Sequence, residues 1–377
     1  MARRFDAVVV GAGIVGASLA YHLAERGARV AVLEAAPAPA TGATAKSAGG
    51  IRLQFSNPKN AALSAESLKL LKAFPETFGV DAGYRPRGYL FLHPASSWPA
   101  WSEAMRRLRA LGYPVELVSL KGAREIVAFD PEGLVGASFG PEDGIFDPPT
   151  VALAYLKAAR EKGAALFTES PLLKAEKRGE TWRIETPKET FEAPLWVNAA
   201  GAWSARVAER AGYRLPVEPY RRSVYLTAPA GVWPGPLVVD AGSGVYFRSE
   251  GPRYLFGASR PDQPPGFFEG VDGEWFEEVA LAMGQRFPWF SSLGLDLKSA
   301  WWGYYAETPD KNAVLGPVPG LPGAWVATGF SGHGAQHAPA VGRRLAAWML
   351  EGEEGNLAAF SLSRFDEGAR VFEAGIV

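Results

Sequence analysis

Cysteine does not occur in this chain of 377 residues. Its absence excludes disulfides, thiolate catalysis, cysteine-ligated metals and any cofactor tethered through a cysteine sulfur. An excess of either charge is missing too: 39 Lys and Arg stand against 40 Asp and Glu, a formal net charge of -1. Such a chain has no field to attract a nucleic-acid backbone or an anionic membrane, and neither is an expected partner. No uninterrupted apolar stretch approaches the roughly 18 residues of a membrane helix, and Met1-Ala2-Arg3-Arg4 leads straight into a strand pattern. The expectation is a cytoplasmic protein without a membrane span. Neither HExxH nor a spaced acid cluster is present, so no metal is expected. Only 4 Met beside 30 Pro and many arginines suit a heat-adapted, thermostable protein.

Hydrophobic residues make up 47% and charged residues 21%, enough for a large core, and the length favours two domains over one. Phe5 to Val10 reads as a buried strand, Ile14 to Arg26 as a helix with Val15, Leu19 and Leu23 on one face, and Arg29 to Leu33 as a second strand. Beyond this βαβ unit, helices are expected over 58–78, 98–112, 122–129, 148–163, 273–287 and 338–350. Strands are expected over 88–93, 298–307 and 324–328, with short ones through Val197 and a strand-rich, Pro- and Gly-rich stretch from Tyr213 to Pro265. No repeat is visible, and the one low-complexity run, Ala35 to Ala40, reads as a loop. Because no linker separates two halves, the expected architecture is α/β: a doubly wound, Rossmann-like domain interrupted by a mostly antiparallel one. The first would comprise residues 1–85, 140–212 and 305–377, the second 86–139 and 213–304.

Gly11-Ala12-Gly13-Ile14-Val15-Gly16 follows a strand and opens a helix, and Glu34 closes the next strand 23 positions after Gly11. Gly11 permits the tight turn, Gly13 lets the backbone approach a pyrophosphate at the helix N-terminus, and Gly16 lets helix and strand pack closely. Ile14 and Val15 complete the turn, while Glu34, followed by Ala35, accepts ribose hydroxyl hydrogens. A purely structural glycine turn is the plain alternative, but here strand, helix and acid are all in place. An acid at 34 would repel a 2′-phosphate, which disfavours NADP. Two further turns of small residues follow strands far along the chain, one with Ala200, Gly201 and Trp203, the other from Gly329 to Gly334. Three such turns exceed what NAD needs and suit a long, extended FAD.

In these motifs, together with Thr41 to Arg52, Gly244 to Arg248 and Thr308-Pro309-Asp310, the sequence resembles the D-amino acid oxidase superfamily of flavoproteins. Within it, the similar branch is that of glycine oxidase, the sarcosine oxidase β subunit and dimethylglycine dehydrogenase. The resemblance covers nearly the whole chain; its motifs are specific for the superfamily and loose about substrate. It implies that Thr44, Lys46, Ser47, Gly49 and Gly50 run along FAD and its pyrophosphate. It also implies that Gly329, Phe330, Ser331, Gly332, His333, Gly334, Ala335 and Gln336 lie under the flavin pyrimidine. The helix after this turn, with Pro339 in its first turn, would aim its positive end where negative charge gathers on reduction. A tight turn ahead of a packed helix is the plain alternative.

Arg52 matches the arginine that grips the substrate carboxylate in sarcosine-oxidising relatives, with a surface salt bridge as the alternative. Arg248 is a second candidate unless Glu250 is its partner, and Arg222 a third. Tyr246, Tyr304 and Tyr305, near Trp301 and Trp302, would wall a pocket for an alkylated amine or else pack the core. His333 is expected to touch cofactor, and His22, His93 and His337 to be structural or superficial.

Three departures qualify the resemblance. Leu255 stands where sarcosine oxidases carry a lysine that speeds reaction of the reduced flavin with oxygen, which implies slow reoxidation here. Gln336 replaces the other lysine that helps hold the carboxylate. Lys46-Ser47 lacks the histidine of covalent attachment in dimethylglycine dehydrogenases, so FAD should be noncovalent. The implied activity is oxidation of the C–N bond of a sarcosine-, glycine- or proline-like substrate by hydride transfer to flavin N5, giving an imine that water hydrolyses. The electron acceptor would be O2, a quinone or a partner protein, and the chain would work alone or as a homo- or hetero-oligomer. Two alternatives stay open. A 2-hydroxyacid dehydrogenase needs a base for the hydroxyl, and no histidine stands near Arg52 in sequence. A non-catalytic FAD-binding assembly or electron-transfer subunit needs none.

Overall fold

The computed structural model describes residues 2–366, 368 and 372–374. The strand Ala7–Val10 is buried along its whole length, as a run without polar residues must be when both faces of a parallel sheet are covered. It lies inside a six-stranded sheet in the order Val314–Pro317, Ala324–Thr328, Leu195–Asn198, Ala7–Val10, Val30–Leu33, Ala165–Phe167. All neighbours are parallel except the first pair. Alternate residues face opposite layers. Ala7 and Val9 pack on the helix side, whereas Val8 and Val10 join Trp182, Ile184 and Phe191 of a smaller sheet.

On the helix side, Ile14–Glu25 lies against both Pro148–Glu161 and Gly334–Glu351. Gly16 is required at the start: a Cβ there would stand 1.9 Å from the Gly11 carbonyl oxygen, so only glycine lets the helix leave the strand so sharply.

A second sheet has eight strands, in the order Trp301–Glu307, Glu218–Leu226, Arg253–Gly257, Tyr246–Glu250, Leu237–Asp240, Tyr89–Pro94, Leu134–Gly140, Glu116–Val118. It is antiparallel except where Leu237–Asp240 meets Tyr89–Pro94. Its residues alternate as well: Tyr89, Phe91 and Tyr246 turn toward the core that also holds Ala7 and Val9, and Leu90, Leu92 and Phe247 toward a separate core under Gly273–Arg286. Among the described residues no helix is long and apolar enough to cross a membrane.

Some expected boundaries move. The helix expected over 58–78 breaks at Ala73 into Pro58–Lys72 and Phe74–Phe78, because Pro75 has no N–H to continue the ladder. The last long helix starts at Gly334 instead of Ala338, which puts Pro339 inside it and past the first turn. The proline is tolerated because its missing N–H removes only the bond to the Ala335 carbonyl, in the opening turn.

Candidate active site

A cavity of about 500 Å³ runs between the two sheets, from Glu34 and Leu172 at one end to Arg52 and Tyr246 at the other. At the first end Gly11 has φ +110° and lies so close to the next strand that a Cβ would stand 2.4 Å from the Ala199 carbonyl oxygen. The helix that follows starts at Gly13 with no side-chain cap, which leaves N-terminal donors for an anion. Thr44 closes over this turn, its hydroxyl accepting the Ile14 N–H at 3.0 Å. Glu34 accepts the N–H groups of Ala12 and Ala36, each at 2.9 Å, one on each carboxylate oxygen. Each oxygen keeps a second lone pair, so the acid is fixed in place and still able to receive ribose hydroxyls.

Most residues expected to hold the cofactor line this cavity, including Val15, Ala35, Lys46, Ser47, Gly49 and Gly50. Ala200, Gly201 and Trp203 do so from the second turn, and Phe330 to Gln336 from the third. Gly16 and Gly329 do not. Gly16 serves packing as described, and Gly329 turns at φ +70° against the Thr308 and Val314 side chains. Sequence reading missed Arg206, Arg210, Tyr89 and Phe91, all of which line the cavity. The period-two aromatic pattern Tyr89, Phe91, His93 was the available signal for one face of that strand.

At the second end Arg52 is 5% exposed. Its guanidinium lies over the Phe55 ring at 4.1 Å and over the Phe91 ring at 5.3 Å from the centroid. Nη1 donates to the Gln54 carbonyl, and Nη2 lies 3.1 Å from His333 Nε2. Burial pulls the Arg52 pKa down, while Glu373, Tyr89, Asp143 and Tyr305 pull it back up. Burial, then the Arg52 charge, then His337 hold His333 well below the usual histidine range. The imidazole is therefore neutral, and the contact with Arg52 assigns the lone pair to Nε2. Tyr89, Tyr246 and Tyr305 are all pushed above the ordinary phenol range by burial.

Several expected roles change. Arg248 is not on the cavity wall: Nε donates to the Ala48 carbonyl at 2.8 Å, and Glu250 is its ion-pair partner at 2.5 Å. It staples the Lys46–Gly50 segment to the sheet. Leu255 is fully buried in the core and does not line the cavity. Gln336 accepts the Arg52 backbone N–H at 2.9 Å and the Ser64 hydroxyl at 3.2 Å, so it ties the last helix to the arginine arm. Arg222 does line the cavity, over the Tyr305 ring at 5.4 Å, with Glu307 2.5 Å away. Tyr304 reaches the wall but gives its hydroxyl to the Phe268 carbonyl at 3.0 Å. Trp301 binds the Lys46 carbonyl at 3.0 Å, outside the cavity. All four histidines are buried, which removes the superficial alternative for His22, His93 and His337.

The parallel sheet, the glycine turn with its acid, and an elongated cavity reaching a second sheet define a dinucleotide-binding flavoprotein. A helix start whose own N-cap residue, Gly13, brings no capping side chain, and the clearance kept by Gly11 and Gly13, fit FAD, the cofactor on which this class depends. The family model for FAD dependent oxidoreductase, DAO, matches residues 6–348, and the chain belongs to that family. It is 36% identical over 431 aligned positions to "FAD-dependent oxidoreductase domain-containing protein 1" of Xenopus laevis, covering 99% of this chain and 85% of that one. Its fold is similar to L-proline dehydrogenase from P. horikoshii, with TM-score 0.90, 29% identity and 98% and 99% of the two chains covered. It is also similar to glycine oxidase from Geobacillus kaustophilus, with TM-score 0.84, 28% identity and 96% and 99% covered.

Proposed function

We propose that this flavoenzyme oxidises the C–N bond of a small amino acid or N-methyl amino acid, of the sarcosine, glycine or proline kind. The imine formed would then be hydrolysed by water. When bound, FAD supplies the two-electron acceptor. On this reading residues 1–85, 140–212 and 305–377 carry the cofactor, and 86–139 and 213–304 shape the substrate pocket.

The observation that carries the proposal is Arg52: a buried cation on an aromatic wall at the end of the cavity. A guanidinium in a low-dielectric site binds a carboxylate bidentately and fixes the atoms attached to it. Tyr89, Tyr246 and Tyr305 stay protonated there and offer hydroxyls and ring faces to an amine. Among the described residues Glu34, at the far end, is the only carboxylate on the wall. On this reading the amine reacts as the neutral form, with no carboxylate on the wall near Arg52 among the described residues to take its proton, and orientation by Arg52 supplies much of the rate.

A second reading, oxidation of a 2-hydroxyacid, is favoured by one observation. His333 is a neutral imidazole on the wall beside Arg52, a base that sequence distance concealed. Its lone pair is turned to Arg52, however, and would have to be released before it accepted a hydroxyl proton. Anaerobic mixing with glycine, sarcosine, L-proline, D-amino acids and 2-hydroxyacids decides between the two. Flavin bleaching by an amino acid supports the first reading, bleaching by hydroxyacids alone supports the second, and bleaching by none sinks both.

A further inference from the structure

Behind the Arg52 arm, on the side away from the cavity, lies a buried acid that the proposed reaction does not use. Asp143 is 1% exposed. It closes the turn after Leu134–Gly140, and its carboxylate fills the space beside Gly140, where a Cβ would stand 2.0 Å from Oδ2. Oδ1 accepts the Leu53 N–H at 2.7 Å and Oδ2 accepts the Gln54 side-chain amide at 2.9 Å. Gln54 is itself fully buried. Its amide nitrogen also donates to the Tyr89 carbonyl at 3.1 Å, and its amide oxygen accepts the Ser138 hydroxyl at 2.6 Å. Ser138 in turn accepts the Trp101 indole N–H at 2.9 Å. The main-chain carbonyl of Gln54 receives the Arg52 guanidinium, so one short chain of donors and acceptors joins the acid to the cation.

A carboxylate taken out of water is a poor way to stabilise a fold, since a neutral side chain of similar size avoids the desolvation cost. What it does well is hold two N–H groups in one geometry. We infer that Asp143 is a positioning residue: it fixes Leu53 and Gln54 so that the Gln54 carbonyl aims the Arg52 guanidinium at the substrate carboxylate. The inference rests on the reading of Arg52 as the carboxylate clamp.

The same network makes positioning depend on protonation. Burial pushes the Asp143 carboxyl up to about 7, against the Gln54 and Leu53 hydrogen bonds and the Arg52 charge. Glu142, ion-paired with Lys72 at 2.6 Å, pushes it further up, and Tyr84 and Tyr89 are the other titratable groups that feel it. A proton on Oδ2 would face the Gln54 amide donor, and the amide resists inversion because the Tyr89 carbonyl needs that donor. Carboxylate affinity should therefore be high above neutrality and fall as pH drops through it. The ligand's own carboxylate does not titrate in that range.

The test titrates the FAD-loaded enzyme with pyrrole-2-carboxylate and with acetate, following the flavin absorbance between about pH 6 and 8.5. For the wild type the Kd should rise by up to about tenfold per pH unit below neutrality, the limit for one linked proton. Asp143→Asn should bind more weakly at high pH and lose the pH dependence, with FAD content unchanged. Ser138→Ala, at the far end of the network, should weaken binding less and keep the pH dependence, which guards against misfolding of the first variant. Wild-type Kd values and slope in Asp143→Asn would overturn the inference. Arg52→Gln separates it from the reading beneath it: if that variant binds both carboxylates normally, or the wild type binds neither, the clamp itself is wrong and the inference goes with it.

Discussion

Arg52 and His333 meet at 3.1 Å, Nη2 to Nε2, across 281 residues of chain. The pairing works because the imidazole is neutral: a protonated ring would set two cations side by side in a buried site. His333 also packs T-shaped on Phe55, at 5.0 Å between centroids, the same ring over which the guanidinium lies.

Replacing the cation should separate substrate from cofactor. Arg52→Gln is expected to lower kcat/KM for carboxylate substrates by roughly 30- to 1000-fold, the loss of a charge-assisted bidentate contact worth about 2–4 kcal/mol. FAD content should not change. His333→Phe keeps the ring on Phe55 and removes the acceptor, so a smaller loss is expected. Steady-state kinetics beside flavin absorbance measure both, and an unchanged kcat/KM in Arg52→Gln would move the clamp elsewhere.

The cofactor should come off intact. The chain has no cysteine, and Lys46 and Ser47 occupy the segment that carries the tether in dimethylglycine dehydrogenases. Acid or heat precipitation is expected to leave yellow FAD in the supernatant, identified by chromatography. Colour retained on the pellet would contradict this.

Acid should unfold the protein through its histidines. Burial holds His93 at about 4 and His337 at about 3, and His333 also lies well below 6.5. Unfolded, all three take up a proton near 6.5, so the folded state loses stability as pH falls from there toward 4. Asp143 works the other way, since its folded value of about 7 exceeds the ordinary 3.8, and it offsets one of the three protons. For these four groups together the slope is roughly 2–3 kcal/mol per pH unit between about pH 6 and 4.5, and His22, which burial also holds below 6.5, steepens it. Denaturant titrations across that range measure it, and His93→Gln should flatten it by about one proton; a slope that ignores this variant would remove His93 from the account.

Leu255→Lys should harm the fold instead of changing oxygen reactivity. Leu255 is fully buried and paired in register with Arg248, so a lysine there becomes an uncompensated interior charge costing about 3–5 kcal/mol. Thermal unfolding is expected at a lower temperature, with the rate of flavin reoxidation in air-saturated buffer no faster than wild type. Faster reoxidation at unchanged stability would mean that the side chain reaches the cavity after all.

Much was legible without tertiary structure where the physics is local. The glycine turn, its acid and the flanking strands lie within Ala7 to Glu34, and steric clearance, helix-end donors and apolar runs are properties of adjacent residues. Most of the remaining helices were readable for the same reason, whereas the strands Glu116–Val118 and Leu134–Gly140 were not expected. Only the tertiary structure decided which side chains share the cavity, because strand pairing sets that. It placed Tyr89, Tyr246 and Tyr305 on one wall from three separate strands and turned Arg248 aside to Ala48 and Glu250. It seated Leu255 in the core. It also supplied what the sequence around Arg52 lacks, a histidine, by folding the last glycine turn back onto the arginine, where burial first and then the Arg52 charge, 281 positions away, keep the imidazole neutral.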